Sequence, residues 1–257
     1  MRRFTIASER RDGDHVTFDR DETRHLARVL RLVPGDTVVA SDGTGIDYTV
    51  RLESLGDTAT GTILGSVRGT ADAPLDVTLV QGVPKGDKME TIVRAATELG
   101  VARIWPVLTA RTIVRLEPSR WRDRARRWQR VAREATKQCG RATIPDVALP
   151  RPLSEVLSAL PEGRPGERRL CLWEGDAPSL RSTLDDSRTD PALSLGPVLL
   201  LVGPEGGLAR SEVDAARARG FLIATLGPRI LRTETAGPAV VAVLQFVLGD
   251  LGSPARE

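Results

Sequence analysis

At 257 residues, 40% of them hydrophobic and 28% charged, the chain is long enough for a substantial core in one or two domains. The opening MRRFTIASERR places charges where a secretory signal needs an apolar run, and no apolar stretch approaches a membrane span, so a cytoplasmic protein without membrane partner is expected. Two cysteines, Cys139 and Cys171, form no CxxC and have two histidines for company, which argues against a disulfide framework and leaves no expected metal site.

The net charge of +3 is unevenly placed. Ser119 to Arg141 holds nine Lys/Arg against two acids, a local +7 that leaves −4 for the remainder. Such a segment points either to a polyanionic partner or to a solvated helix face in an arginine-rich chain, and charge alone favours the solvated face.

Residues 1–72 read as a small barrel or sandwich. Short alternating segments (His15–Phe18, Thr37–Ala40, Tyr48–Leu52, Thr58–Leu64) are separated by turn signals such as Asp12-Gly13-Asp14 and Pro34-Gly35-Asp36. One helix is predicted over Asp21–Arg31, with Leu26, Val29 and Leu30 as its apolar stripe. The small-residue stretch Thr70–Pro74 marks a domain boundary, giving domains of 1–72 and 73–257.

From Leu75 onward strands alternate with helices, the pattern of a largely parallel α/β sheet. Leu75–Val83 and Val101–Leu108 read as strands around a helix at Lys88–Leu99. Trp121–Cys139 is a long basic helix, with Trp121 and Trp128 on a core or interface face. Leu153–Leu160 is a short helix, Leu170–Glu174 a strand and Asp185–Pro197 a surface loop. Val198–Val202 is apolar throughout, as in a strand buried on both faces. It stops at Gly203-Pro204-Glu205-Gly206-Gly207. A helix follows, with Ser211 as the expected N-cap, Asp214 three residues on and Gly220 at its end.

Phe221–Leu226 is the next strand and also ends in a Gly-Pro turn, Gly227-Pro228. After Arg229–Ala236 comes a helix that is apolar almost all round (Val240, Val241, Val243, Leu244, Phe246, Val247, Leu248), which needs a core or a partner subunit to cover it. The two strands are read as adjacent, so that their glycine loops line one crevice, the usual ligand position in open α/β sheets. No P-loop, GxGxxG, GxSxG or HExxH string is present.

The strings GPEGG (Gly203–Gly207) and LGPRILRTETA (Leu226–Ala236) resemble the C-terminal motifs of the ribosomal RNA small subunit methyltransferase E family, within the SPOUT superfamily. Arg24-His25-Leu26, Val29-Leu30-Arg31, Pro34-Gly35-Asp36, the Lys85–Lys88 loop, Thr97–Val101, Ile104 with Pro106, and Glu134-Ala135 with Gln138 and Arg141 extend the likeness. Cys139 departs mildly from the small residue expected there. The resemblance implies a small PUA-like β-barrel followed by an α/β parallel-sheet domain with a C-terminal trefoil knot, a topology too rare to propose from first principles. It implies S-adenosyl-L-methionine as cofactor, N3-methyluridine in small-subunit ribosomal RNA as product, that RNA or the assembled small ribosomal subunit as partner, and a homodimer through the second domain.

On this reading the cofactor-binding residues are Leu201, Gly203, Pro204, Glu205, Gly206, Gly207, Leu226, Gly227, Ile230, Leu231, Arg232, Thr235 and Ala236. Arg232 is expected to stabilise the uridine oxygens as charge develops, with Glu205 or Glu234 taking the N3 proton. Glu234 equally suits a purely dipolar role in a helix's first turn. The RNA-binding set is Arg2, Arg3, Arg10, Arg11, Arg24, His25, Arg28, Arg31, Lys85, Lys88 and Arg141. A covalent cysteine route is disfavoured, since nitrogen methylation needs none. Two alternatives stand beside this one: a ribosome-associated RNA binder without catalysis, and a related methyltransferase acting at another RNA position.

Overall fold

The structure, a computed structural model, describes residues 3–69, 71–186 and 196–252. Arg2, Thr70 and most of the loop expected over 185–197 lie outside the described residues. The chain divides into two compact units: residues up to Asp72 together with Arg133–Ile144, and Ala73–Ala132 together with the chain from Pro145.

The first unit is a six-stranded sheet of β1 (Arg3–Thr5), β2 (Arg11–Asp12), β3 (His15–Thr17), β4 (Thr37–Ser41), β5 (Ile46–Leu55) and β6 (Ala59–Arg68), in the order β1-β4-β5-β6-β3-β2. Alternation along β4 and β5 puts Val38, Ala40, Tyr48, Val50 and Leu52 on the buried face with Phe4 and Phe18, whose rings meet edge to face at 6.2 Å. The helix expected over Asp21–Arg31 is instead two pieces. Helix α1 (Arg20–Arg24) starts at Asp19, whose carboxylate accepts from the Glu22 amide at 2.8 Å. The chain then widens into a π turn at His25–Val29, closed by the Leu30 amide donating to the His25 carbonyl. That widening breaks the 3.6-residue stripe: Leu26 is buried, but Val29 is 67% exposed.

A single cut near residue 72 does not describe this unit, because Arg133–Ile144 belongs to it. Arg141 is buried and pairs with Asp72, Thr143 donates to Asp72 at 2.8 Å, and Ser41 donates to the Ala142 carbonyl. Arg3 makes a two-pronged pair with Asp47, both bonds at 2.7 Å, and also donates to the Arg141 carbonyl. The sequence expectation of RNA contacts at Arg3 and Arg141 is not met: enclosure and pairing commit both guanidiniums to the fold.

The second unit is a parallel sheet of β7 (Val77–Gly82), β8 (Arg103–Leu108), β9 (Asp146–Val147), β10 (Arg151–Pro152), β11 (Arg168–Leu172), β12 (Val198–Val202) and β13 (Leu222–Ala224). Its order is β10-β8-β7-β12-β11-β13, with β9 beside β8. Around it run α2 (Lys88–Glu98), α3 (Pro118–Cys139), α4 (Leu153–Ala159), α5 (Leu180–Asp186), α6 (Arg210–Ala218) and α7 (Thr233–Leu248). Every residue of β7 and β12 is buried at the sheet's centre; β12 is apolar throughout, while β7 also encloses the polar Thr78 and Gln81. Trp121, Ala125 and Trp128 form the buried face of α3, in keeping with a core reading of both tryptophans.

Two local expectations change. The residue preceding α6 is Ala209, not Ser211, and Glu212 accepts from its amide at 2.9 Å and from the Ala110 amide at 2.8 Å. Glu212 thus satisfies an otherwise orphaned helix-start donor and ties the helix to the loop after β8. Asp185 and Asp186 close α5 rather than opening a loop. Gly220 does sit just past α6 with φ +83°.

Candidate active site

All strands of the second unit are parallel, so the loops leaving β7, β11, β12 and β13 emerge at one edge. There they enclose an open cavity of ≈ 590 Å³, within the ordinary size of small-molecule sites. Its walls are the Gly203–Gly207 turn, the run Thr225–Thr233, the β11 exit at Leu172–Glu174, and Lys88 of α2.

Two contacts lock the turns together. The Gln81 side-chain amide donates to Thr233 Oγ1 at 3.0 Å, and that hydroxyl donates to the Gly203 carbonyl at 2.8 Å. Backbones also pack without side chains between them. A Cβ on Gly82 would sit 2.5 Å from Pro204, and Gly207, at φ +68°, leaves room for the Glu174 carboxylate.

The electrostatics centre on Lys88. Its ammonium lies 3.1 Å from Glu205 and 3.4 Å from Glu234, joining the glycine turn to the first turn of α7. Glu205 also accepts from the Lys85 amide at 3.2 Å. Burial pushes the Glu205 carboxyl up, but its own amide, Lys88 and the Lys85 amide outweigh that and hold it below its ordinary 4.5. The hydrogen bond to Glu205 raises the Lys88 ammonium above 10.5 against partial desolvation. Glu205's share of stability is therefore full above pH 4.5 and lost as pH falls through its lowered value; that of Lys88 is full below pH 10.5 and lost as pH rises through its raised value.

The RNA methyltransferase domain family matches residues 71–245, and the RNA methyltransferase PUA domain family matches residues 18–63. A relative from Synechocystis, ribosomal RNA small subunit methyltransferase E, is 35% identical over 246 residues, spanning 96% of this chain and 78% of its own. The chain belongs to the ribosomal RNA small subunit methyltransferase E family. A crystal structure of the family member from Neisseria gonorrhoeae, bound to S-adenosyl methionine, superposes with a TM-score of 0.84 at 34% identity over 98% of this chain and 99% of that one. A methyltransferase from Legionella pneumophila, in complex with the same cofactor, gives 0.83 at 28% identity over 97% and 98%.

In this methyltransferase E family chain the expected site residues divide in three. Gly203, Pro204, Glu205, Gly207, Leu226, Gly227, Leu231, Arg232 and Ala236 line the cavity, as does Ile230, although that side chain is 87% exposed and forms a rim rather than a wall. Leu201, Gly206 and Thr235 do not line it: Leu201 is packed inside β12, and the Gly206 carbonyl accepts from Arg111 at 2.7 Å. Glu234 reaches the site through Lys88. Lys88, placed in the RNA set from sequence, belongs to this cluster instead, because two carboxylates claim its ammonium.

Trp173 and Glu174 were not anticipated. The glycine-ended strands β12 and β13 are not neighbours; β11 lies between them, and its exit becomes the third wall. The rule that ligands lie beyond strand carboxyl ends pointed to every such exit, including the one after Leu172. Trp173 is held by Arg210, whose guanidinium lies 5.3 Å from the ring centroid. Among the described residues Arg232 has no ion-pair partner, so its charge remains available to a ligand.

Cys171 takes no part in this chemistry. It is buried in β11, and desolvation pushes its thiol up to about 12. A thiol-specific reagent at pH 8 is expected to modify at most Cys139 in the native protein and both cysteines once guanidinium unfolds it. Full reaction without denaturant would contradict that burial. The raised value also means that stability is undiminished below pH 9.0 and declines as pH climbs from there toward 12.

Proposed function

We propose that this chain is an S-adenosyl-L-methionine-dependent methyltransferase acting on N3 of a uridine in small-subunit ribosomal RNA. The observation that carries the reading is the cavity walled by the Gly203–Gly207 turn and the Thr225–Thr233 run, in a chain of this family. The residues fit the donor: its adenine needs backbone amides and carbonyls, which the glycine turns offer, and its methionine arm needs apolar contact, which Leu226 and Leu231 provide. When bound, the donor supplies an electrophilic methyl group on a sulfonium.

The chain's part is alignment and charge. Holding the uridine nitrogen in line with the methyl group removes an orientation cost of about 7–11 kcal/mol in well-ordered systems. Arg232 stabilises the negative charge that grows on the uridine oxygens. Glu205, whose carboxyl its own amide, Lys88 and the Lys85 amide hold below its ordinary value, is a poor proton acceptor, so in this reading the N3 proton passes to Glu234 or to a water it holds. Exposed Arg10, Arg11, Arg24, His25, Arg28 and Arg31 of the first unit, with Lys85, remain the RNA contacts in this reading.

The knotted path of the C-terminal segment and a PUA-like barrel in the first unit belong to the same proposal, as does a cytoplasmic location. No helix among the described residues is long and apolar enough to cross a membrane. A homodimer through the second unit is supported by α7, whose Val240, Val241 and Leu244 are buried while Val243 and Phe246 are 39% and 67% exposed. Phe246→Glu is expected to halve the mass seen by sedimentation; a wild-type mass that is already monomeric would remove the dimer from the proposal.

The deciding experiment is methylation of purified small ribosomal subunits and of free RNA with labelled donor, followed by mass spectrometry of the nucleosides. Label in N3-methyluridine supports the reading. Label in another nucleoside favours a related enzyme of different target, and donor binding without transfer to either substrate refutes it.

A further inference from the structure

The basic segment singled out by composition is α3, and it does two things at once. Trp121, Ala125 and Trp128 are buried, while Arg122, Arg126 and Arg130 are exposed. At 3.6 residues per turn those three fall within about 80° of the helix surface, each about 6 Å further along the axis. The neighbouring Arg127 is turned away from this row, onto Glu90 at 2.6 Å and Asp87 at 3.8 Å of the α2 start. Among the described residues only Arg126 of the row makes an ion pair, with Asp123 at 3.4 Å, in a pair that is more than 70% exposed on both sides and so nearly fully screened, while Glu134, one turn beyond Arg130, is taken by Lys137 at 2.9 Å.

Like charges four residues apart repel along a helix and weaken it. Their presence on one face, relieved only by the exposed Asp123 pair, is a cost that an anionic ligand would reverse. The spacing presents three guanidiniums in line, each able to take a phosphate in two-pronged fashion. We infer that the Arg122–Arg126–Arg130 row is a track for the sugar-phosphate backbone of the RNA substrate, contributing affinity and orientation but no base recognition. This inference rests on the RNA methyltransferase reading given above.

The test uses the full chain with RNA containing the methylated segment, titrated across a salt series. Changing all three arginines to glutamine is expected to weaken binding at least tenfold at low salt. It should also flatten the slope of log affinity against log salt by about 2, the loss of three phosphate contacts to a single strand. Donor affinity should stay at the wild-type value, and the melting temperature should hold or rise, since repulsion has been relieved. The triple lysine variant, which keeps the charge, is expected to retain the slope. A glutamine variant with wild-type affinity and slope overturns the inference, and so does a lysine variant as weak as the glutamine one. A wild-type protein that binds neither RNA nor donor would instead refute the parent reading, which keeps the two failures apart.

Discussion

Arg232→Ala is expected to lower the rate of methyl transfer by about 10²–10³-fold, the usual cost of removing one preorganised group that meets developing charge. The reason lies in what surrounds the residue. Arg232 borders the cavity with no carboxylate partner among the described residues, while the nearby Lys88 is already committed to Glu205 and Glu234. Its charge, with that of Arg229 on the same run, is therefore free to meet charge that develops on the target base in the proposed reaction. In the proposed reading the ground-state donor contacts come from backbone and apolar groups, so the donor's Kd should change by only a few fold. Single-turnover transfer rates beside calorimetric donor affinity check this, and an unchanged rate ends the assignment.

The same experiment separates the two carboxylates. Glu234→Gln should cost about 10²-fold or more in kcat, as loss of a general base does. Glu205→Gln should instead loosen Lys88 and weaken the joint between the glycine turn and α7, with a smaller effect on kcat. A reversed order would move the proton acceptor to Glu205, despite the depressed titration that Lys88 and the Lys85 amide impose on it.

Gly82→Ala, at a residue that does not itself line the cavity, is expected to reduce transfer by about 10²-fold, the penalty associated with misplacing a site by ~1 Å. A Cβ at Gly82 would lie 2.5 Å from both the nitrogen and the Cδ of Pro204 and 2.9 Å from the Gly203 carbonyl carbon. Ordinary contact begins at 3.4 Å, and the obstructing atoms are mostly backbone, which cannot swing aside as a flexible side chain can. The glycine turn must move outward, pulling against the Gln81–Thr233–Gly203 hydrogen bonds that fix it to α7. Overpacking of this kind costs about 1–3 kcal/mol, so the protein should still fold. Melting curves and donor affinity together test this: a folded variant with wild-type transfer shows that the turn yields at no cost.

The glycine turns, the apolar β12 run, the basic α3 and the alternation of the first 70 residues are local patterns, and local patterns are what a sequence carries directly. Glycine-proline turns after buried strands are common punctuation and by themselves favour a purely structural role; the likeness of Gly203–Gly207 and Leu226–Ala236 to one methyltransferase family is what marks them as the site's two main walls and names the chemistry. Long-range arrangement is different in kind. Nothing in the spacing of β12 and β13 says that β11 lies between them; that follows from which strand edges satisfy one another's hydrogen bonds, and it brought Trp173 and Glu174 to the cavity. Nor does a basic residue announce its partner. Arg3, Lys88 and Arg141 look alike in the sequence, yet Asp47, Glu205 with Glu234, and Asp72 meet them from 44, more than 100 and 69 residues away. Pairing across such separations is decided by the packed chain, because a charge's free energy depends on what lies within a few ångströms and not on what lies beside it in sequence.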